Sequence, residues 1–172
     1  HRLGPLLPTI LSRAQRVQFH NLSDSILERL FETELSDVQR SEYQALLDFA
    51  QGSIGRAVDF SEHDGPELYQ DTIALLEGKA PDWNAIHKLA DSMAKTAQEP
   101  VFQNFQNVLL VLLEKAAHHK AKGQVSSCLN AFSLEQTLAI YNELRAHFDQ
   151  ANYANLDNRA AVLGAFRIIL AS

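Results

Sequence analysis

Residues 100–123 read PVFQNFQNVLLVLLEKAAHHKAKG. Val101, Phe102, Phe105, Val108, Leu109, Leu112 and Leu113 recur at i, i+1 and i+4, the spacing of an apolar helix face and not the alternation of a strand. Pro100 suits the first turn of such a helix. The run His118-His119-Lys120-Ala121-Lys122-Gly123 suits its end, where cations meet the negative pole of the backbone dipoles and glycine closes the last turn. A helix this apolar needs other helices around it.

The flanking sequence supplies them. Upstream, Pro66 opens a segment with Leu68, Tyr69, Ile73, Leu75 and Leu76 that closes at Gly78, and Pro81-Asp82 opens another with Trp83, Ile86, Leu89, Ala90 and Met93. Downstream, residues 123–132 read as a loop. Ser133 and Gln136 then form a capping-box pair ahead of Leu134, Leu138, Tyr141, Leu144 and Phe148. A last helix from about Asp157 presents Val162, Leu163, Phe166, Ile169 and Leu170.

Three shorter helices are expected before Pro66. Ser23 and Asp24 start the first, with Ile26, Leu27, Leu30, Phe31 and Leu35 on one face; Ser41 and Gln44 cap the second, with Leu46, Leu47 and Ala50, and Gln51-Gly52 ends it. Gly52-Ser53-Ile54-Gly55-Arg56-Ala57-Val58 opens the third, which runs to about Ser61, and His63-Asp64-Gly65-Pro66 has the composition of a boundary. Residues 1–20 differ from all of this: Gly4, Pro5 and Pro8 break the start, and Arg16 to His20 alternates polar with apolar as a short half-buried strand does. The fold expected is all-α, a three-helix bundle over 21–62 and a five-helix bundle over 66–172, preceded by a short extended segment over 1–20.

Composition agrees with helices and a packed core. The chain has 172 residues, 46% hydrophobic and 21% charged, with only 7 Gly and 5 Pro. The longest aliphatic run, Val108 to Leu113, is far short of the roughly 20 residues that span a bilayer, so a soluble protein is expected. One cysteine, Cys128, excludes an internal disulfide and a cysteine-built zinc site, and without a secretory segment it fits a reducing, cytoplasmic setting. The first residue is His1 rather than Met, which suggests a piece of a longer protein. The net charge of −6 argues against a nucleic-acid sleeve over the whole surface, although residues 1–20 hold Arg2, Arg13 and Arg16 and no acid.

The common catalytic signatures are absent. Gly78-Lys79 lacks the rest of a phosphate loop, and neither a G-x-S-x-G elbow nor an H-E-x-x-H pair occurs. His118 and His119 are adjacent and point about 100° apart on a helix, too far to share one metal. His20, His63, His87 and His147 are scattered, Glu32 with Glu34 and Asp59 with Glu62 read as solvated charge, and Cys128 in VSSCLNAF reads as a small half-buried residue, so no cofactor and no metal are expected.

Two stretches remain: Leu7-Pro8-Thr9-Ile10-Leu11-Ser12-Arg13-Ala14-Gln15, followed by the strand and Asn21-Leu22-Ser23, and then Gly52-Ser53-Ile54-Gly55-Arg56-Ala57 some thirty residues on. In this order and spacing they resemble the clamp-loader branch of the AAA+ ATPases. There L-P-T-I-x-S-R-C-Q closes the ATPase domain, a strand leads into a three-helix lid, and G-S/D-x-x-x-A starts the lid's last helix. The closing Asn155-Leu156-Asp157-Asn158-Arg159-Ala160-Ala161-Val162-Leu163 is similar to the N-x-N/D-R pattern late in the helical collar of the delta-prime type of subunit.

The resemblance implies a remnant of the ATPase domain over 1–20, a lid over 21–62 and an oligomerising collar over 66–172. It implies that Arg13 acts as a trans arginine finger on ATP held by a neighbouring subunit, in a complex only; alone, residues 1–172 are not catalytic and the parent is an accessory subunit of a DNA-directed DNA polymerase. The family cysteine is Ala14 here. The family's cis nucleotide-contacting arginine falls at Gly55, with Arg56 one place late and turned by about 100°, which favours the delta-prime type over the gamma/tau motor type. Implied partners are the gamma/tau and delta types of clamp-loader subunit and, through the whole complex, the sliding clamp and primed DNA, with no membrane. The alternatives are the gamma/tau type itself, a helical adaptor unrelated to replication, and an enzyme using Cys128.

Overall fold

The computed structural model describes residues 20–35, 37–77, 80–95, 99–124, 129, 131–154 and 156–171. They form eight α-helices: α1 Asp24–Glu34, α2 Tyr43–Ala50, α3 Ile54–Glu62, α4 Gly65–Glu77, α5 Trp83–Lys95, α6 Glu99–Ala121, α7 Leu134–Tyr153 and α8 Asn158–Leu170, with a 3-10 turn over Arg40–Glu42. No strand occurs among the described residues, and the fold is all-α. Of the expected strand over 16–20 only His20 lies within the described residues.

Local chemistry sets the helix ends. Ser133 Oγ accepts from Gln136 N at 3.1 Å and Gln136 Oε1 accepts from Ser133 N at 2.8 Å, the expected capping box of α7. Asp157 Oδ2 accepts from Ala160 N at 3.3 Å at the start of α8. After α6 the chain turns at Gly123, where Gln124 N–H returns to His119 O at 2.8 Å. The cap expected at Ser41 and Gln44 lies elsewhere: Ser41 sits inside the 3-10 turn, Glu42 Oε2 accepts from Gln39 N at 3.0 Å, and Gln44 Nε2 turns to Asp48 Oδ1 at 3.0 Å.

Packing radiates from α6. Val101, Phe102, Phe105, Gln106, Val108, Leu109, Leu112, Leu113 and Ala116 are all buried, more than one face of a helix can hold, so α6 is covered by α4 on one side and α7 on another. Phe105 is the hub, edge-on to Phe148 of α7 at 6.3 Å between ring centroids and tilted against Phe166 of α8 at 6.0 Å. From α7 the packing passes to α8 and from α8 to α5. Helices α4 and α5, consecutive in the chain, flank an open cleft of about 530 Å³ lined by Asp71, Leu75, Asp82, Lys88 and Leu89.

The burial pattern differs from the expected faces at four large side chains. Ile26, Trp83, Leu134 and Leu138 are 37–47% exposed. On α7 the buried stripe runs Thr137, Ile140, Leu144, Phe148 and Ala151, rotated from the Leu134, Leu138, Tyr141 line. Thr137 tolerates burial because its hydroxyl donates to Ser133 O at 2.8 Å. Leu134 and Leu138 stay in solvent, while Tyr141 is half-buried against the core.

The helices α1, α2 and α3 pack among themselves and meet the rest through α4 and α6. Phe49 stacks on Phe60 at 3.9 Å and is edge-on to Tyr69 of α4 at 6.1 Å. Gly65 opens α4 against Phe60: a Cβ there would stand 2.4 Å from both Phe60 Cδ2 and Phe60 O. Polar bonds cross the same joint, Tyr69 Oη and Lys115 Nζ donating to Asp48 and Asn104 Nδ2 donating to His63 O at 3.2 Å.

Gly65→Ala is therefore expected to lower stability by about 1–3 kcal/mol through overpacking. Gly55→Ala, whose Cβ would meet only Ser53 Oγ at 3.9 Å, should leave stability unchanged or raise it by up to ~1 kcal/mol. Urea unfolding midpoints separate the two; equal midpoints would contradict the packing at Gly65.

Candidate functional site

Asn21 and Leu22, which follow the first of the two stretches, meet the second in space. Leu22 N–H donates to Gly52 O at 2.8 Å, and Gly52 lies so close to Asn21 that a Cβ would fall 2.3 Å from Asn21 Cβ. Gly52 also has φ +84, in the left-handed region. Position 52 thus needs glycine twice over, for its turn and for the approach of Asn21. Ser53 follows as the N-cap residue of α3, extended at φ −122 and ψ 116, and Ala57 is fully buried one turn later. Gly52 and Ala57 of Gly52-Ser53-x-x-x-Ala57 each have a local mechanical reason, the turn and a small side chain under the helix, while Ser53 occupies the N-cap position without a side-chain capping bond.

Of the three positions between Ser53 and Ala57, Ile54 packs against the core and the other two face outward. Gly55 and Arg56 are exposed, and Arg56 Nη1 donates to Gln51 Oε1 at 2.7 Å across the turn. Among the described residues Arg56 has no carboxylate beside it and faces no enclosed cavity, so its surroundings are those of a surface cation. Arg13 lies outside the described residues, as does Cys128.

The closing motif has an equally concrete role. Asp157 caps α8, and Arg159, the second residue of the helix, reaches to α5, its Nε 2.5 Å from Asp91 Oδ1 and its Nη2 3.4 Å from His87 Nδ1. Arg159 ties the last helix of the chain to the second helix of the five-helix unit. Both side chains of the ion pair are about half exposed, so it contributes little to stability.

The histidines are spread over separate roles. His147 Nε2–H donates to Ala161 O at 2.8 Å between α7 and α8, and His63 Nδ1–H donates to Asp59 O at 2.8 Å. His118 and His119 sit in the last turn of α6. Glu32 pairs with Arg40 at 2.5 Å in solvent, while Asp59 and Glu62 are exposed. Among the described residues no three His, Cys, Asp or Glu side chains could hold a metal ion together, and no helix is long and apolar enough to cross a membrane.

Two polar constellations were not foreseen. Gln106, buried in α6, exchanges amide hydrogen bonds with Asn152 of α7 at 3.1 and 3.3 Å. Asp48 gathers Gln44, Tyr69 and Lys115. A polar residue between Phe105 and Val108 is the signal for the first; the second joins residues 67 apart in sequence and has no local signal.

Arg159→Ala is expected to cost about 0.2–1 kcal/mol, lowering the thermal midpoint by roughly 1–4 °C, while Arg56→Ala moves it by less. Calorimetry checks both, and equal midpoints for Arg159→Ala and the parent would remove the tie. Set beside protein-family models, curated proteins and solved structures, the chain matches none.

Proposed function

We propose that this chain belongs to a clamp-loader subunit of the delta-prime type, with residues 1–20 closing an ATPase core, 21–62 forming the lid and 66–172 forming the collar. The observation that carries the reading is the meeting of Asn21-Leu22 with Gly52: two motif pieces thirty residues apart are bonded, and the glycine between them is demanded by that contact. A three-helix unit followed by a five-helix unit supports it as well.

The work of such a chain is assembly. Its collar joins those of gamma/tau-type and delta-type subunits in a five-membered ring, and the ring places the sliding clamp on primed DNA. The large apolar side chains left in solvent on the five-helix unit, Leu134 and Leu138 on α7 and Trp83 on α5, are surfaces available to neighbours. This unit, with nine basic and eleven acidic residues, has no cationic surplus to direct at phosphate backbones.

Arg13 supplies the chain's contribution to chemistry. A guanidinium inserted from the neighbouring subunit is a fixed, always charged donor that neutralises charge building on the transferred phosphoryl group. Gly55 at the place of the family's cis arginine, with Arg56 turned to Gln51, favours a subunit that lends this arginine without turning over ATP itself.

The test is DNA-stimulated ATP hydrolysis by the reconstituted complex built with the full-length protein. Arg13→Ala is expected to abolish turnover at the one nucleotide site it faces, a loss on the order of 10³ there. Arg56→Ala should leave turnover unchanged. Unchanged turnover with Arg13→Ala would overturn the finger role, and ATP binding by the protein alone that disappears with Arg56→Ala would make it a motor subunit instead.

A further inference from the structure

The joint between helices α1–α3 and the five-helix unit gathers two of its polar bonds on one carboxylate, and a further bond, Asn104 Nδ2 to His63 O, sits where the backbone crosses. Asp48 Oδ1 accepts from Gln44 Nε2 at 3.0 Å, while its Oδ2 accepts from Tyr69 Oη at 2.7 Å and from Lys115 Nζ at 2.5 Å. Its side chain is 8% exposed and that of Lys115 33%. Two of its three donors come from across the joint, whereas the backbone crosses only once, at His63-Asp64, where Asp64 has φ 55.

The rest of the joint has a different character. Phe49 on Phe60, the Tyr69 ring edge-on to Phe49, and Phe60 against Gly65 form an apolar ring contact. Rings in such contact tolerate small rotations while they stay covered, but a charge-assisted hydrogen bond does not. Beside the ion pair an open cleft of about 340 Å³ is lined by Gln51, Val111, Glu114, His118 and His119 together with Asp48 and Lys115. Solvent entering from this cleft can hydrate both charges as they part, which removes the penalty of stranding either one dry.

We propose that the Asp48–Lys115 pair is a latch. Closed, it locks the three-helix unit against α4 and α6. Open, it lets that unit pivot about the Phe49, Phe60 and Gly65 contact and widens the cleft, a hinge motion between two packings of the same helices. Nothing in this latch depends on the clamp-loader reading.

The experiment measures the angle directly. In a Cys128→Ser background of the full chain, nitroxide labels on Asp59→Cys of α3 and Asn107→Cys of α6, both exposed positions, report the distance between the units by pulsed dipolar spectroscopy. Lys115→Met and Asp48→Asn should each broaden a narrow distribution, the open population rising roughly five- to thirty-fold, with helix content by circular dichroism unchanged. Lys115→Arg, which keeps the charge, should stay narrow. An unchanged distribution in whichever of the two neutralising variants keeps its helix content overturns the latch, and so does equal broadening with Lys115→Arg.

Discussion

The two-sided burial of α6 is the constraint on which the rest of the structure depends. A surface helix hides one stripe; α6 hides Phe105, Val108, Leu109 and Leu113 almost completely, with Phe102, Leu112 and Ala116 beside them. Each such side chain contributes about 1.5–3 kcal/mol when removed from water, which α6 gains only if α4 and α7 close over it together. Phe105 extends the requirement to α8 through Phe166, and α8 brings α5 with it. The Gln106–Asn152 amide pair then favours one register of α6 against α7, since a slip in either direction leaves the buried Gln106 amide unpaired.

The same helix also organises the joint with the N-terminal helices. Lys115 lies on the same helix as the core-forming Leu112 and Leu113, so the cation that reaches Asp48 is held by a backbone the core has already immobilised. The three-helix unit contributes the opposite half, an acid at Asp48 and an aromatic at Phe49 on adjacent positions of α2. One position faces the latch and the next the apolar contact, which is how a helix of 8 residues serves both.

Much of this was legible in the sequence, because helix starts and stops are written locally. Pro66, Ser133 with Gln136, Asp157 and Gly123 mark ends that depend on neighbours within five residues, and the apolar spacing over 100–123 marks the central helix itself. What could not be read depends on partners far along the chain. Of the face expected on α7, Leu144 and Phe148 are buried, but Thr137, Ile140 and Ala151 complete the stripe in place of Leu134 and Leu138, a choice that depends on the helices packed against it. Asp48 with Lys115 and Arg159 with Asp91 are each separated by more than sixty residues. Of the site, the need for glycine at 52 shows only once Asn21 stands beside it, while Arg13 lies outside the described residues.

Among the described residues Phe105, Asp48 and Arg159 hold helices to one another, while Trp83, Leu134 and Leu138 stand in solvent. In the proposed clamp-loader reading, assembly is the central claim. The most direct test is the mass of what forms when the full-length protein is mixed with gamma/tau-type and delta-type subunits and measured by native mass spectrometry. A five-membered assembly that includes this protein is expected, and a protein that stays apart from both types of subunit contradicts the assignment.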